Sequence, residues 1–139
     1  MAANGALDIR VPSDVQQIEA IVAQVVLRCR EHRFAGRQLS LNVPVALTEA
    51  LSNAILRGNG PVAGKCVRVR VEVTDLRLVL EVEDEGAGFD LEACTEDPTT
   101  PENLAREDGR GLFLMHALMD RVERFRGEGN VVRLTLHRR

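Results

Sequence analysis

The chain has 139 residues, the size of one compact domain. Its composition, 45% apolar and 28% charged, is ordinary for a globular protein and wrong for a disordered one. A net charge of -3, with four Phe and neither Trp nor Tyr, argues against a surface that grips nucleic acid by phosphate neutralisation and base stacking.

No uninterrupted apolar run approaches the roughly 18 residues of a membrane span, and the first residues lack the basic and apolar regions of a secretory signal. Cys29, Cys66 and Cys94 lie far apart with no C-x-x-C pair, so neither a disulfide framework nor a zinc site is indicated. The setting these features suggest is reducing and cytoplasmic, with no membrane partner.

Leu7, Ile9 and Val11 alternate with Asp8 and Arg10, which predicts a short strand ended by Pro12. Ser13 or Asp14 then caps a helix whose apolar positions are Val15, Ile18, Ile21, Val22, Val25, Val26 and Cys29. A second helix is predicted from about Ser40 to Leu56, with Val43, Leu47, Ala50, Leu51 and Ala54 as its buried stripe. Pro44 suits its first turn, and Gly58-Asn59-Gly60-Pro61 stops it.

Val67, Val69, Val71 and Val73 alternate with charged residues, and so do Leu76, Leu78, Leu80 and Val82 after a turn near Thr74-Asp75. This is an antiparallel hairpin with one face against helices and the other wet. The pattern then vanishes from Asp90 to Asp108, a stretch with seven acids, one base and two prolines. So long a structureless segment in a small domain is more often functional than accidental. Past Gly109-Arg110-Gly111, a third helix carries Leu112, Met115, Leu118, Met119 and Val122 on one face. A closing hairpin, Val122–Phe125 and Val131–Leu136, turns at Gly127-Glu128-Gly129-Asn130. The order β-α-α-β-β-loop-α-β-β implies an α/β sandwich: a mixed, mainly antiparallel sheet with helices on one face.

Three places carry chemistry. In the second strand of the central hairpin the apolar residues occupy even positions, and the next even position is Asp84, which regular alternation turns toward the helices. An inward carboxylate needs donors, and the following Gly86 and Gly88 allow a ligand close to the backbone. A ligand with an exocyclic amino group, such as adenine, suits such a floor; a frayed strand end is the plain structural alternative. Glu49 and Asn53 stand four apart on one helix face, away from the apolar stripe. They read either as an ordinary solvated pair or as a proton acceptor beside a phosphate and a hard oxygen for Mg2+. Arg57 continues the ridge, to contact phosphate or solvent. Lastly, Gly109-Arg110-Gly111 directly before a helix offers free backbone N–H groups to a phosphate, or simply hinges.

Other signals are weaker. Asn59 to Cys66 fails the phosphate-loop pattern at both ends, no serine sits in a nucleophile elbow, the three histidines lack metal-ligand spacing, and His116 reads as structural.

Glu49-Ala50-Leu51-Ser52-Asn53-Ala54, Asp84-Glu85-Gly86-Ala87-Gly88-Phe89-Asp90 and Gly109-Arg110-Gly111-Leu112-Phe113-Leu114-Met115 resemble, in order, the N-box, G1 box and G2 box of the GHKL ATPase superfamily. Within it the chain is similar to the anti-sigma-factor serine-protein kinases of partner-switching systems, over roughly Leu7 to Leu136. The resemblance implies one ATP-binding kinase domain over 1–139 with the Bergerat fold and a lid at about 90–111. It makes Glu49 the catalytic base and Asn53 the Mg2+ ligand, with Asp84 on the adenine amino group. Gly86 and Gly88 would shape the pocket, and Arg57, Gly109, Arg110, Gly111 and Leu112 would serve the nucleotide; many members carry His where this chain has Arg57.

The implied ligands are ATP or ADP with Mg2+. The implied partners are a STAS-domain anti-anti-sigma protein as substrate, a sigma factor or similar client, and a second copy of the chain in a homodimer. Two rivals are a nucleotide-dependent sequestering module without transferase activity and the catalytic fragment of a sensor histidine kinase. Glu49 argues against the first, and the lack of a phosphoacceptor hairpin argues against the second.

Overall fold

The computed structural model describes residues 6–60, 62, 64–86 and 107–139, with 107–110 as backbone alone. Strand β1 (Ala6–Pro12) leads to helix α1 (Ile18–Glu31) and helix α2 (Val43–Asn53). The central hairpin is β2 (Cys66–Val73) and β3 (Arg77–Glu83), and helix α3 (Glu107–Leu118) precedes β4 (Arg121–Arg126) and β5 (Asn130–His137). The strands form one sheet in the order β1-β2-β3-β5-β4, and every pairing is antiparallel, so the parallel component implied by "mixed" is absent among the described strands.

Alternation on the sheet decides which side the helices cover. Val67, Val69, Val71 and Val73 on β2 and Leu78, Leu80 and Val82 on β3 are buried, as are Leu134 and Leu136 on β5. They meet Ile21, Val25 and Cys29 of α1, the Val43, Ala46, Leu47, Ala50 and Leu51 face of α2, and Met115 and Met119, in one core. Burial pushes the Cys29 thiol up to about 12, so this cysteine is inert core. The opposite sheet face is charged: Glu81 accepts from Arg70 Nε and Arg133 Nε, both at 2.7 Å. Burial works against the ionised Glu81, but the two guanidiniums prevail and hold its carboxyl below the usual range.

Four boundaries differ from the sequence reading. Leu76 lies in the β2–β3 turn and is 77% exposed, because Thr74 Oγ1 accepts from the N–H groups of Leu76 and Arg77 and closes the turn one residue later. Val15 is exposed in a short 3-10 turn that Asp14 caps through Gln16 N–H. The second helix is longer than expected, since π-helical turns at Gln38–Asn42 and Ala54–Asn59 flank α2. Pro44 therefore sits inside a continuous helical run; its ring would crowd the Ser40 carbonyl in a regular α-turn, and the wider π-turn before it relieves that contact. The fourth is α3, which is helical from the first described residue, Glu107, so Gly109-Arg110-Gly111 lies within the helix and not ahead of it.

The run Gln38–Asn59, 22 residues, is long and apolar enough on length and composition to cross a membrane, which uninterrupted apolar runs did not suggest. Val43, Ala46, Leu47, Ala50, Leu51, Ala54 and Ile55 of this run lie in the core described above, while Leu56 is exposed. Asn42 Nδ2 donates to Leu118 O at 2.8 Å, tying the start of this run to the end of α3.

Candidate functional site

Asp84 follows directly on β3, and the antiparallel register carries it opposite Asn130 at the start of β5, where its N–H donates to Asn130 O at 3.1 Å. The side chain turns inward, as alternation predicts, and is 4% exposed. Its two oxygens differ. Oδ1 accepts from Gly86 N (3.1 Å), Asn130 N (3.3 Å) and Asn130 Nδ2 (3.4 Å), whereas Oδ2 has no donor among the described residues. Burial pushes the Asp84 carboxyl above its ordinary value, and the Asn130 and Gly86 donors only partly oppose it.

Two glycines make room for this carboxylate. A Cβ at Gly58 would overlap Asp84 Oδ2, and one at Gly129 would overlap the Asp84 carbonyl oxygen. Next to Gly58, Asn59 is 3% exposed; its Oδ1 accepts from Glu85 N at 2.7 Å and its Nδ2 donates to Cys66 O at 2.9 Å. It thereby fastens the end of the long helical run to the strand ends on either side of Asp84. Gly58, Gly129, Asn59 and Asn130 were missed as site residues. The signal available was arithmetic: pairing Leu80 with Leu134 across β3 and β5 places Asp84 opposite Asn130.

Glu49 and Asn53 are half-buried on α2, not on an open solvated face, because α3 covers them. A Cβ at Gly111 would stand 2.7 Å from Glu49 Oε2 and 3.7 Å from Asn53 Nδ2, so the N-box pair and the third motif meet. Asn53 Nδ2 is buried with no hydrogen-bond partner among the described residues. An orphan of this kind is costly unless a ligand completes it, and a half-turn of the amide offers its carbonyl oxygen instead. Among the described residues no cluster of His, Cys, Asp or Glu forms a metal site by itself, so a cation here would take few protein ligands. That is the habit of Mg2+, and Asn53 fits it.

Asn53 and Asp84 line one cleft between α2 and the sheet, with Ala50, Ala54, Val82, Asn130 and Val132; it holds about 20 Å³. This admits about one water. Gly86 N–H donates to Asp84 on its wall. Leu112 is 3% exposed in the core and Arg57 is exposed, so neither is drawn into the cleft. His116, read as structural, stands exposed on α3. Gly88 and most of the expected lid lie outside the described residues, Gly109 is described by its place in α3 alone, and the Arg110 side chain is not described.

A family profile for the histidine kinase-like ATPase domain matches residues 11–136. The serine-protein kinase RsbW of Oceanobacillus iheyensis is 27% identical over 123 residues, covering 84% of this chain and 77% of the relative. The anti-sigma F factor of Pasteuria penetrans is 31% identical over 97 residues, 67% of this chain and 65% of its own. The serine-protein kinase RsbW of Bacillus subtilis is 33% identical over 99 residues, 68% of this chain and 62% of its own. The aligned part thus spans less than two thirds of the length of the last two.

Proposed function

The chain belongs to the family of histidine kinase-like ATPase domains, and from that premise we propose that it is a Mg2+- and ATP-dependent serine-protein kinase that doubles as a binding switch. Its substrate is a serine or threonine on a small STAS-domain antagonist, and its client in the cytoplasm is a sigma factor or similar regulator. The names of the relatives support this reading, and so does one observation: on the walls of one cleft, neither Asp84 Oδ2 nor Asn53 Nδ2 has a hydrogen-bond partner among the described residues.

Asp84 accepts the exocyclic amino group of the adenine, in a pocket closed to bulkier walls by Gly58 and Gly129. Asn53 holds Mg2+, which when bound neutralises charge on the phosphates. Glu49 takes the proton of the partner's hydroxyl as its oxygen attacks the γ-phosphorus; the bond to the bridging oxygen breaks and ADP leaves. Gly111 keeps the space beside Glu49 clear. Few protein groups need do chemistry, since phosphoryl transfer is mainly positioning and charge neutralisation.

Phosphorylation adds nearly two negative charges to the antagonist, and the acidic stretch between Asp90 and Asp108 would repel it and drive release. The chain works as a homodimer. The decisive experiment incubates the protein with labelled ATP, Mg2+ and a STAS-domain partner captured in pull-down. Transfer of label to a serine or threonine of the partner is expected. Capture with nucleotide but without label would make the chain a sequestering module instead.

A further inference from the structure

Strand β3 runs out in two adjacent carboxylates, and alternation sends them to opposite faces of the sheet. Asp84 faces the helices. Glu83, 9% exposed, faces the charged side, where Arg70 Nη1 donates to its Oε1 at 3.1 Å. Its Oε2 accepts from the backbone N–H groups of Glu128 and Gly129, both at 3.0 Å. The next N–H in the turn, that of Asn130, donates to Asp84. Three consecutive N–H groups of the β4–β5 turn are thus shared between two neighbouring acids, one gripping from each face.

We propose that Glu83 is a positioning residue for base recognition: it pins the β4–β5 turn from the open face so that Asn130 can fix Asp84 Oδ1 and leave Oδ2 to the purine amino group. The inference rests on the reading of Asp84 as the adenine contact. The packing requires the turn to be held closely. Gly129 lies against the Asp84 carbonyl with no space for a Cβ, and a Cβ at Gly127 would stand 3.0 Å from Glu83 Oε2. A shift of the turn on one face is therefore transmitted to the carboxylate on the other. Glu83 itself is held ionised: burial opposes the charge, but the Gly129 N–H and the Arg70 guanidinium outweigh it and lower its pKa. An ionised acceptor binds two backbone donors more firmly than a neutral one.

A residue that only held the fold together would weaken every ligand alike. Glu83 should instead weaken the part of binding that depends on the amino group. The test compares ATP with purine riboside 5′-triphosphate, which lacks the 6-amino group, by calorimetry with Mg2+ on the full chain. Wild type should favour ATP by about tenfold or more, one charge-assisted hydrogen bond. Glu83→Ala should weaken ATP about tenfold while leaving the purine riboside triphosphate within about twofold, so the preference collapses. Glu83→Gln keeps an oxygen for the two N–H groups and should fall between; it carries the test if the alanine variant does not fold. The turnover number at saturating ATP should stay within about twofold, because Glu49 stands on α2, away from the turn. Equal losses for both ligands, or an unchanged preference, would overturn the proposal. A wild-type protein that does not distinguish the two ligands would remove the Asp84 reading before any substitution is made, and Glu83 with it.

Discussion

Asp84→Asn separates charge from shape at the floor of the cleft. The amide oxygen can stand where Oδ1 now accepts from Gly86 and Asn130, leaving the NH2 at the Oδ2 position beside Gly58. The native hydrogen bonds survive and the buried charge does not. Because the folded pKa of Asp84 is raised above its unfolded value, the wild-type fold gains from protonation. That gain is complete below the unfolded pKa and fades as pH rises through the folded one. At neutral pH the ionised side chain is a standing cost. The variant lacks it and should melt at or above the wild-type temperature.

Nucleotide binding should move the other way. Losing one hydrogen bond to a charged acceptor costs about 1.5–3 kcal/mol, or about 10- to 150-fold in affinity, and two donors then face each other. A purine with a 6-oxo group reverses the clash, so the variant should bind inosine triphosphate better than ATP. Calorimetry with each nucleotide and Mg2+ at pH 7 reads the preference, and a thermal melt reads the stability. The same logic makes wild-type ATP binding fail on acidification at a higher pH than an ordinary aspartate would dictate. Unchanged ATP affinity in the variant, or a retained preference for ATP over inosine triphosphate, would refute the assignment.

Two further substitutions probe the other end of the cleft. Glu49→Gln should keep ATP affinity within about twofold yet slow phosphoryl transfer to the partner about 10²- to 10⁴-fold, the span of general-base effects; single-turnover assays with labelled ATP measure it. Gly111→Ala should favour the helix by about 0.8–1 kcal/mol while its Cβ pushes Glu49 Oε2 aside, so the melting temperature holds or rises as phosphoryl transfer falls about tenfold or more.

The inward turn of Asp84 was legible because strand alternation is local: Leu78, Leu80 and Val82 set a parity that Asp84 continues. The Glu49–Asn53 ridge was legible for the same reason at helical spacing. Their burial was not, since it comes from α3, a segment of sequence more than fifty residues away. The glycines of the third motif were read as a break before a helix, but they lie inside it, since the helix packed on α2 already includes Glu107 and Asp108. Gly58 and Asn59 were read as part of a helix stop; they form the last helical turn, which Gly60 ends at a φ of 65°, and they have a second duty against Asp84 and Glu85 that only the fold reveals. Glu83 was one more charged residue on a wet face. Its partners lie in a turn forty-five positions later, and nothing local marks them.

Asp84 carries a buried carboxyl whose Oδ2 accepts from none of the described residues, and Asn53 a buried amide nitrogen with no acceptor among them. Both side chains line one cleft between α2 and the sheet. A nucleotide that completes them should add its binding free energy to the stability of the complex. At one hundred times the dissociation constant, Mg2+ and ATP should add about 2.7 kcal/mol, raising the melting temperature by roughly 6–15 °C for a domain of this size. At the same ligand concentration Asp84→Asn should cut that gain to about 0.3–1.4 kcal/mol, at most about half the wild-type shift, without lowering the ligand-free melt. Asn53→Ala should reduce the shift while relieving the orphaned amide, so its ligand-free melt should not fall by more than the small cavity requires. A ligand-free melt that drops sharply in both variants would mean that these side chains hold the fold together and are not kept for a ligand.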